Sequence, residues 1–349
     1  PDEESWYNKP KAELHIARPQ DLSGIEGFYY TVDQKPDTKP SDTDWVYTKS
    51  SDIELPAKSD GIWYAHVRSK DTAGNVSADT AHFKFKIDTQ ALPPNISSVS
   101  HPDSHKWYNL KKAQFKIMPP EDLSGIDGYY YIIDGKEKNI PDTTATWTDK
   151  DTIFSADLKD GEWYLHVTSR DKAGNAGQMA SHYRVNIDTA AKPPAVFSKT
   201  HPDQEQWYNN AIPELHWDTP EDLSGIEGYY YTVDKKHNTV PVKENSEWTT
   251  ANQVTIQPAE DGIWYFHIIS KDNAGNTGWE ASHYRIKIDT KVEQPRISSS
   301  THPDEKNWYN SPRVKIGWTV PQDLSKIKAF YYLFSKEKHL KIPQELAVK

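Results

Sequence analysis

The chain has 349 residues, no cysteine, 13 tryptophans, 20 tyrosines and a formal charge of −10. At roughly 100–200 residues per domain, that length predicts two to four domains. The missing cysteine excludes a disulfide scaffold, a thiol nucleophile and a thiolate zinc site, and 51 acidic against 41 basic residues argues against a nucleic-acid partner.

Hydrophobic residues make up 35%, which alone leans toward disorder, while 12% aromatics lean the other way. Trp and Tyr bury about 150–250 Å² each, so a few of them can replace many aliphatics. No run approaches the ~18 apolar residues of a membrane span. The chain opens at Pro1 without a basic and apolar leader, so a signal peptide is expected to be removed or to lie outside this stretch.

Repetition sets the organisation. Trp-Tyr-Asn recurs at Trp6, Trp107, Trp207 and Trp308, at spacings of 101, 100 and 101. His-Pro-Asp precedes it at His101, His201 and His302, Asp-Leu-Ser-Gly-Ile starts at Asp21, Asp122 and Asp222, and Asp-x-Ala-Gly-Asn starts at Asp71, Asp171 and Asp272. We read module one as residues 1–90 without its first strand, module two as 91–190, module three as 191–291, and a partial module four as 292–349. The expectation is a piece of a longer array, or a degenerate fourth copy whose missing strands come from a partner.

Within a module the period is two. In module three, Glu214–Trp217 predicts a short strand, followed by the Pro220–Gly225 loop and a β-rich run to Asp234. Gln253–Ile256 alternates polar and apolar residues, the Asp261-Gly262 turn leads into Trp264–Ser270, and His283–Ile288 closes the module. A first strand near 296–300 in the next copy brings the expectation to about seven short strands per module and no helix, the signature of an all-β sandwich.

The Trp217 strand, the Pro-x-Asp-x-Ser-Gly-Ile loop into Tyr229, the aromatic strand from Trp264 and the Asp272-x-Ala-Gly-Asn276 turn resemble tandem fibronectin type III-like and bacterial immunoglobulin-like repeats. The resemblance spans all three full modules. It implies seven-stranded sandwiches in an elongated array on a large surface or secreted protein, and says little of function, because this fold carries many unrelated jobs.

Alternation assigns the faces. Trp63, Ala65 and Val67 are expected inward, with Tyr64 and His66 outward. In the last strand Phe83, Phe85 and Ile87 point in, with His82 and Lys84 out. Tyr29, Tyr64, His66 and His82 should therefore share an outer face with their counterparts Tyr130, Tyr164, His166 and His182, and Tyr230, Tyr265, His267 and His283. Such a face is either a solvated sheet stabilised by cross-strand pairs or an interaction surface for glycans or other protein chains. A hairpin folded about Ala73-Gly74 sets His66 opposite His82, and likewise His166 opposite His182 and His267 opposite His283. Two imidazoles could hold Zn²⁺ or titrate together, but no carboxylate is expected nearby, which favours a simple cross-strand pair.

The acidic loops are the second candidate. Asp88, Glu121, Asp122, Asp171 and Asn175 are expected to meet where module one hands over to module two, with Asp188, Glu221, Asp222, Asp272 and Asn276 as their counterparts. Hard oxygen ligands of this kind suit Ca²⁺, and ordinary turn chemistry explains the same residues without a metal. The Pro-rich linkers 89–94 and 189–194 favour a semi-rigid rod over a flexible string.

Catalytic patterns are lacking: the sequence has no Gly-rich phosphate loop, no Gly-x-Ser-x-Gly and no His-Glu-x-x-His. Pairs such as Glu121-Asp122 lie in a turn copied in every module, unlike the scattered residues of a glycosidase site. The reading is a non-catalytic extracellular repeat region without a required cofactor, acting as a structural or adhesive rod or fibre. Carbohydrate-binding or spacer modules of a secreted polysaccharide-active enzyme are the alternative.

Overall fold

The computed structural model describes residues 2–39, 45–56, 59–258 and 260–337, so the expected end of module four, residues 338–349, lies outside the described residues. The chain divides into two compact units, Pro1–Thr189 and Ala190–Lys349, the first covering modules one and two.

Module two shows how the sequence folds. Its strands are β8 (Asn95–Ser98), β9 (Trp107–Tyr108), β10 (Gln114–Met118), β11 (Ile126–Asp134), β12 (Thr146–Thr148), β13 (Thr152–Phe154), β14 (Gly161–Asp171) and β15 (Ser181–Ile187). They form a five-stranded sheet β12-β11-β14-β15-β9 over a three-stranded sheet β13-β10-β8. Module one contributes β1 (Trp6–Tyr7), β2 (Lys11–His15), β3 (Ile25–Asp33), β4 (Val46–Thr48), β5 (Asp52–Pro56), β6 (Gly61–Asp71) and β7 (Ala81–Ile87). Its large sheet has the same order, and its small sheet holds only β2 and β5. A groove lined by Leu14, Ile16, Ala65, Val67 and Phe83 opens beside them.

In unit two, module three repeats module two with β16 (Ala195–Ser198), β17 (Trp207–Tyr208), β18 (Glu214–Asp218), β19 (Ile226–Asp234), β20 (Glu247–Thr249), β21 (Gln253–Thr255), β22 (Gly262–Asp272) and β23 (Ser282–Ile288). Module four supplies the pair β24 (Ile297–Ser299) and β25 (Ile316–Trp318). The architecture is tandem all-β sandwich modules of the fibronectin type III/immunoglobulin-like kind. Modules two and three each hold eight strands rather than about seven, and a single 3₁₀ turn, Lys243–Asn245, is the helical segment among the described residues. The short strands at Trp107–Tyr108 and Thr146–Thr148 escape sequence reading because two or three residues show no period.

The core forms where inward positions of the two sheets meet. In module two Phe115 and Ile117 from β10 pack on Tyr129, Leu165, Val167, Val185 and Ile187. Full burial of each such side chain contributes about 1.5–3 kcal/mol. In module three Trp217 lies edge-on to Tyr229 at 5.3 Å and stacks on Phe266 at 5.9 Å, so one indole ties both sheets together.

The His-Pro-Asp and Trp-Tyr-Asn motifs are one structural clamp. His101 is buried, its Nε2 lies 3.0 Å from the Leu110 carbonyl oxygen and its ring meets Tyr108 edge-on. Because a carbonyl only accepts, that nitrogen carries the proton. Tyr183 Oη donates to the His101 carbonyl at 2.7 Å, and Tyr108 accepts the Asp188 N–H at 3.0 Å beyond the parallel pairing of β9 with β15. In the Asp-x-Ala-Gly-Asn turn Gly174 holds φ 91°, a left-handed conformation that disfavours a side chain.

Candidate functional site

Three recurrent features occupy the positions singled out from the sequence. On the outer face of the large sheet, Tyr130 meets Trp147 of β12 at 4.8 Å, and the Arg170 guanidinium lies 5.7 Å from the indole. Tyr230, Trp248 and Lys271 repeat this in module three, as do Tyr29, Tyr47 and Lys70 in module one. The indole of Trp147 lies against Gly128, where a Cβ would come within 2.5 Å of the ring. Trp147 and Trp248 remain 39% and 41% exposed, which makes them accessible aromatic platforms at a sheet edge. Sequence reading missed Tyr47, Trp147 and Trp248; their signal is an aromatic followed by Thr just ahead of the next strand, with Thr48, Thr148 and Thr249 in that place.

The histidines sit opposite one another as the hairpin arithmetic requires: His66 faces His82, His166 faces His182 and His267 faces His283. Their exposure differs from expectation. His66, His166 and His267 are fully buried, whereas His82, His182 and His283 are exposed. The central strand of each large sheet is covered on both faces. Tyr64, Tyr164 and Tyr265, all partly buried, stack beside the buried rings at 6.2–6.4 Å. In module two the loop after β11 folds over the outer face, where Thr168 Oγ1 donates to the Pro141 carbonyl at 3.0 Å.

A carboxylate does recur beside each pair, against expectation. The last residue of the aromatic strand, Asp33, Asp134 or Asp234, places Oδ1 3.2 Å from Nε2 of the buried imidazole. The paired Nδ1 atoms are 2.6, 2.7 and 2.6 Å apart. Burial works against the Asp33 charge, but bonds from the Thr38 hydroxyl, the Lys35 N–H and His66 outweigh it and hold the carboxyl below its ordinary range. Asp134 and Asp234 are held down in the same manner. The recurrent Asp closing each aromatic run was the available signal.

At the junction of modules one and two, Asp88, Asp122 and Asp171 bring one carboxylate oxygen each within 4.8 Å of the others. Asp88 and Asp171 are buried. Ser124 N–H donates to Asp88 Oδ2 at 2.9 Å, and Asn175 Nδ2 bridges the Asp88 carbonyl at 2.7 Å and Asp171 Oδ2 at 2.5 Å. Burial, then the neighbouring Asp88 charge, pushes the Asp122 carboxyl up; burial also pushes up Asp171, with Asp88 adding to it against the Asn175 bonds. Three such oxygens could share one hard cation such as Ca²⁺. Glu121 is exposed and stands outside this cluster, as Glu221 is exposed in module three. In unit two Asp272 accepts from Asn276 N–H at 2.7 Å and Asn276 Nδ2 at 2.6 Å, and Asp222 accepts from Ser224 Oγ at 3.1 Å. Asp188 is buried at the end of unit one.

No protein-family model matches this chain, and no curated protein matches it. Among solved structures it is similar to the fibronectin(III)-like modules of Clostridium thermocellum CbhA, at 13% identity over 57% of this chain and 97% of that chain, with a TM-score of 0.27. The sandwich assignment therefore rests on the strand pairing and burial described above.

Proposed function

We propose that this chain is a non-catalytic repeat region of an exported protein that serves as a semi-rigid structural or adhesive rod. The observation that carries the reading is the handover between modules. Asp88, the residue after the last strand of module one, is hydrogen-bonded into module two through both its carboxylate and its carbonyl. The contact recurs inside unit two, where Ser325 N–H donates to Asp289 Oδ2 at 2.9 Å. A linker tied down on each side transmits orientation, as a free tether does not. Small-angle scattering of the 349-residue chain tests this: a compact protein of that length has a radius of gyration of about 20 Å. A rod predicts a much larger value that changes when Pro93 and Pro94 become Gly; a compact particle overturns the reading.

The exposed Tyr–Trp platforms favour a second reading, glycan-binding modules attached to a polysaccharide-active enzyme, because sugars stack on flat aromatic faces at low entropic cost. A glycan array on the wild type and on a Trp147→Ala, Trp248→Ala variant separates the two. Retention by the wild type alone supports binding, and no retained sugar removes it.

A further inference from the structure

The three Asp–His–His sets are more uniform than cross-strand packing requires, with two nitrogens of each buried ring committed to different partners. The proton inventory follows from geometry. A carboxylate can only accept, so Nε2 of His66 carries hydrogen, and before any proton is added from solvent the Nδ1 of that ring holds a lone pair. At 2.6 Å the opposing Nδ1 of His82 must then donate, which leaves Nε2 of the exposed His82 as an acceptor open to solvent. A first proton from solvent binds that outer nitrogen without breaking a bond. A second would have to land on Nδ1 of His66, setting two N–H groups head-on inside the sheet.

We propose that Asp33–His66–His82, Asp134–His166–His182 and Asp234–His267–His283 are one-proton couples that make the pairing of the last two strands in each module acid-labile. The unfolded chain accepts two protons at each pair and the folded chain one, so acid favours opening. Zinc does not suit the gap: two N–metal bonds of about 2.0–2.1 Å at a tetrahedral angle need nitrogens about 3.3 Å apart. The charges around each set are paired with one another: Lys84 bonds Glu4, Arg184 bonds Glu162 on the face of β14 that holds His166, and Arg285 bonds Glu205. In module one Tyr64 and Arg68 on β6 and Lys84 on β7 share the face with Asp33 on β3. Modules two and three carry Tyr164 and Arg184, and Tyr265 and Arg285, at matching positions. Burial first, then the partner ring, hold His182 and His283 below the ordinary imidazole range, with Lys138 from the loop after β11 and His237 from the loop after β19 adding to it.

The test compares the whole chain with a His82→Gln, His182→Gln, His283→Gln variant. The Gln amide can donate to, or turn and accept from, the buried ring, so the inner histidine becomes free to charge. Between about pH 6.5 and 5, amide-exchange protection of β7, β15 and β23 in the wild type should fall by up to about tenfold per pH unit more steeply than in the variant. Imidazole ¹⁵N spectra should show one added proton per pair. Equal slopes, two added protons per pair above pH 5, or three Zn²⁺ bound per chain at the histidines each overturn the proposal. A single His182→Gln substitution, with modules one and three as internal references, keeps the comparison valid if the triple variant fails to fold.

Discussion

Modules one and two carry the same acidic turn in different electrostatic settings. Asp71 accepts the N–H and Nδ2 of Asn75 at 2.7 Å each, and those bonds hold its carboxyl below the ordinary range against burial. Asp171 makes the equivalent bonds to Asn175, yet burial and the nearby Asp88 push it upward. One motif thus yields a carboxylate at ease with its charge in one module and a frustrated one in the next. Deeper burial is the first cause of the difference, and the charge of Asp88, a group no turn-level reading of module two would include, adds to it.

The largest expected effect breaks the difference with a cation. Saturating Ca²⁺, at about 100 times its dissociation constant, should stabilise module two by roughly 2.7 kcal/mol, with no response at the module-one turn. Asp88→Asn should abolish most of the gain, read as amide protection around Asp122 and Asp171. An identical exchange pattern in Ca²⁺ and in chelator sinks the cation reading.

Acid should act next, and with opposite sign in the two modules. Asp122 and Asp171 have folded values above the unfolded ones, so their favourable contribution is present below about pH 4 and lost as pH rises through the folded values. In chelator, the two carboxyls should therefore add stability to the module-two turn as pH falls from 7 toward 4, opposing the loss at the His166–His182 pair. Asp71 is depressed, so its contribution is present above about pH 4 and lost as pH falls through its folded value. Carboxyl ¹³C titration of both turns checks this, and parallel slopes contradict it.

The smallest effect isolates the bridging bond. Asn175→Ala should cost about 1 kcal/mol more than Asn75→Ala, because Asn175 Nδ2 also donates to the Asp88 carbonyl. Equal costs in chemical denaturation would mean that the handover bond adds nothing.

Much of the fold was legible from local pattern. Period-two alternation set Ala65, Phe85 and Ile87 inward, and hairpin arithmetic set His66 against His82. These are properties of neighbours along one strand or across one turn, and a short stretch of sequence contains them.

Tertiary structure decided the rest. Alternation says which way His66 points but cannot say that the stacked Tyr64 and Asp33 leave it no solvent. Asp33 lies 33 residues from His66, and Asp88 lies 36 from Ser124 and 87 from Asn175, so their meeting depends on sheet order and module packing. The recurring motifs and their period-two alternation by themselves pointed to a series of β modules, and composition to modules without cysteine. Which outward residues stay exposed, and which carboxylates must share a space, is fixed only when distant segments close on one another, because burial and Coulomb energy depend on distance in space.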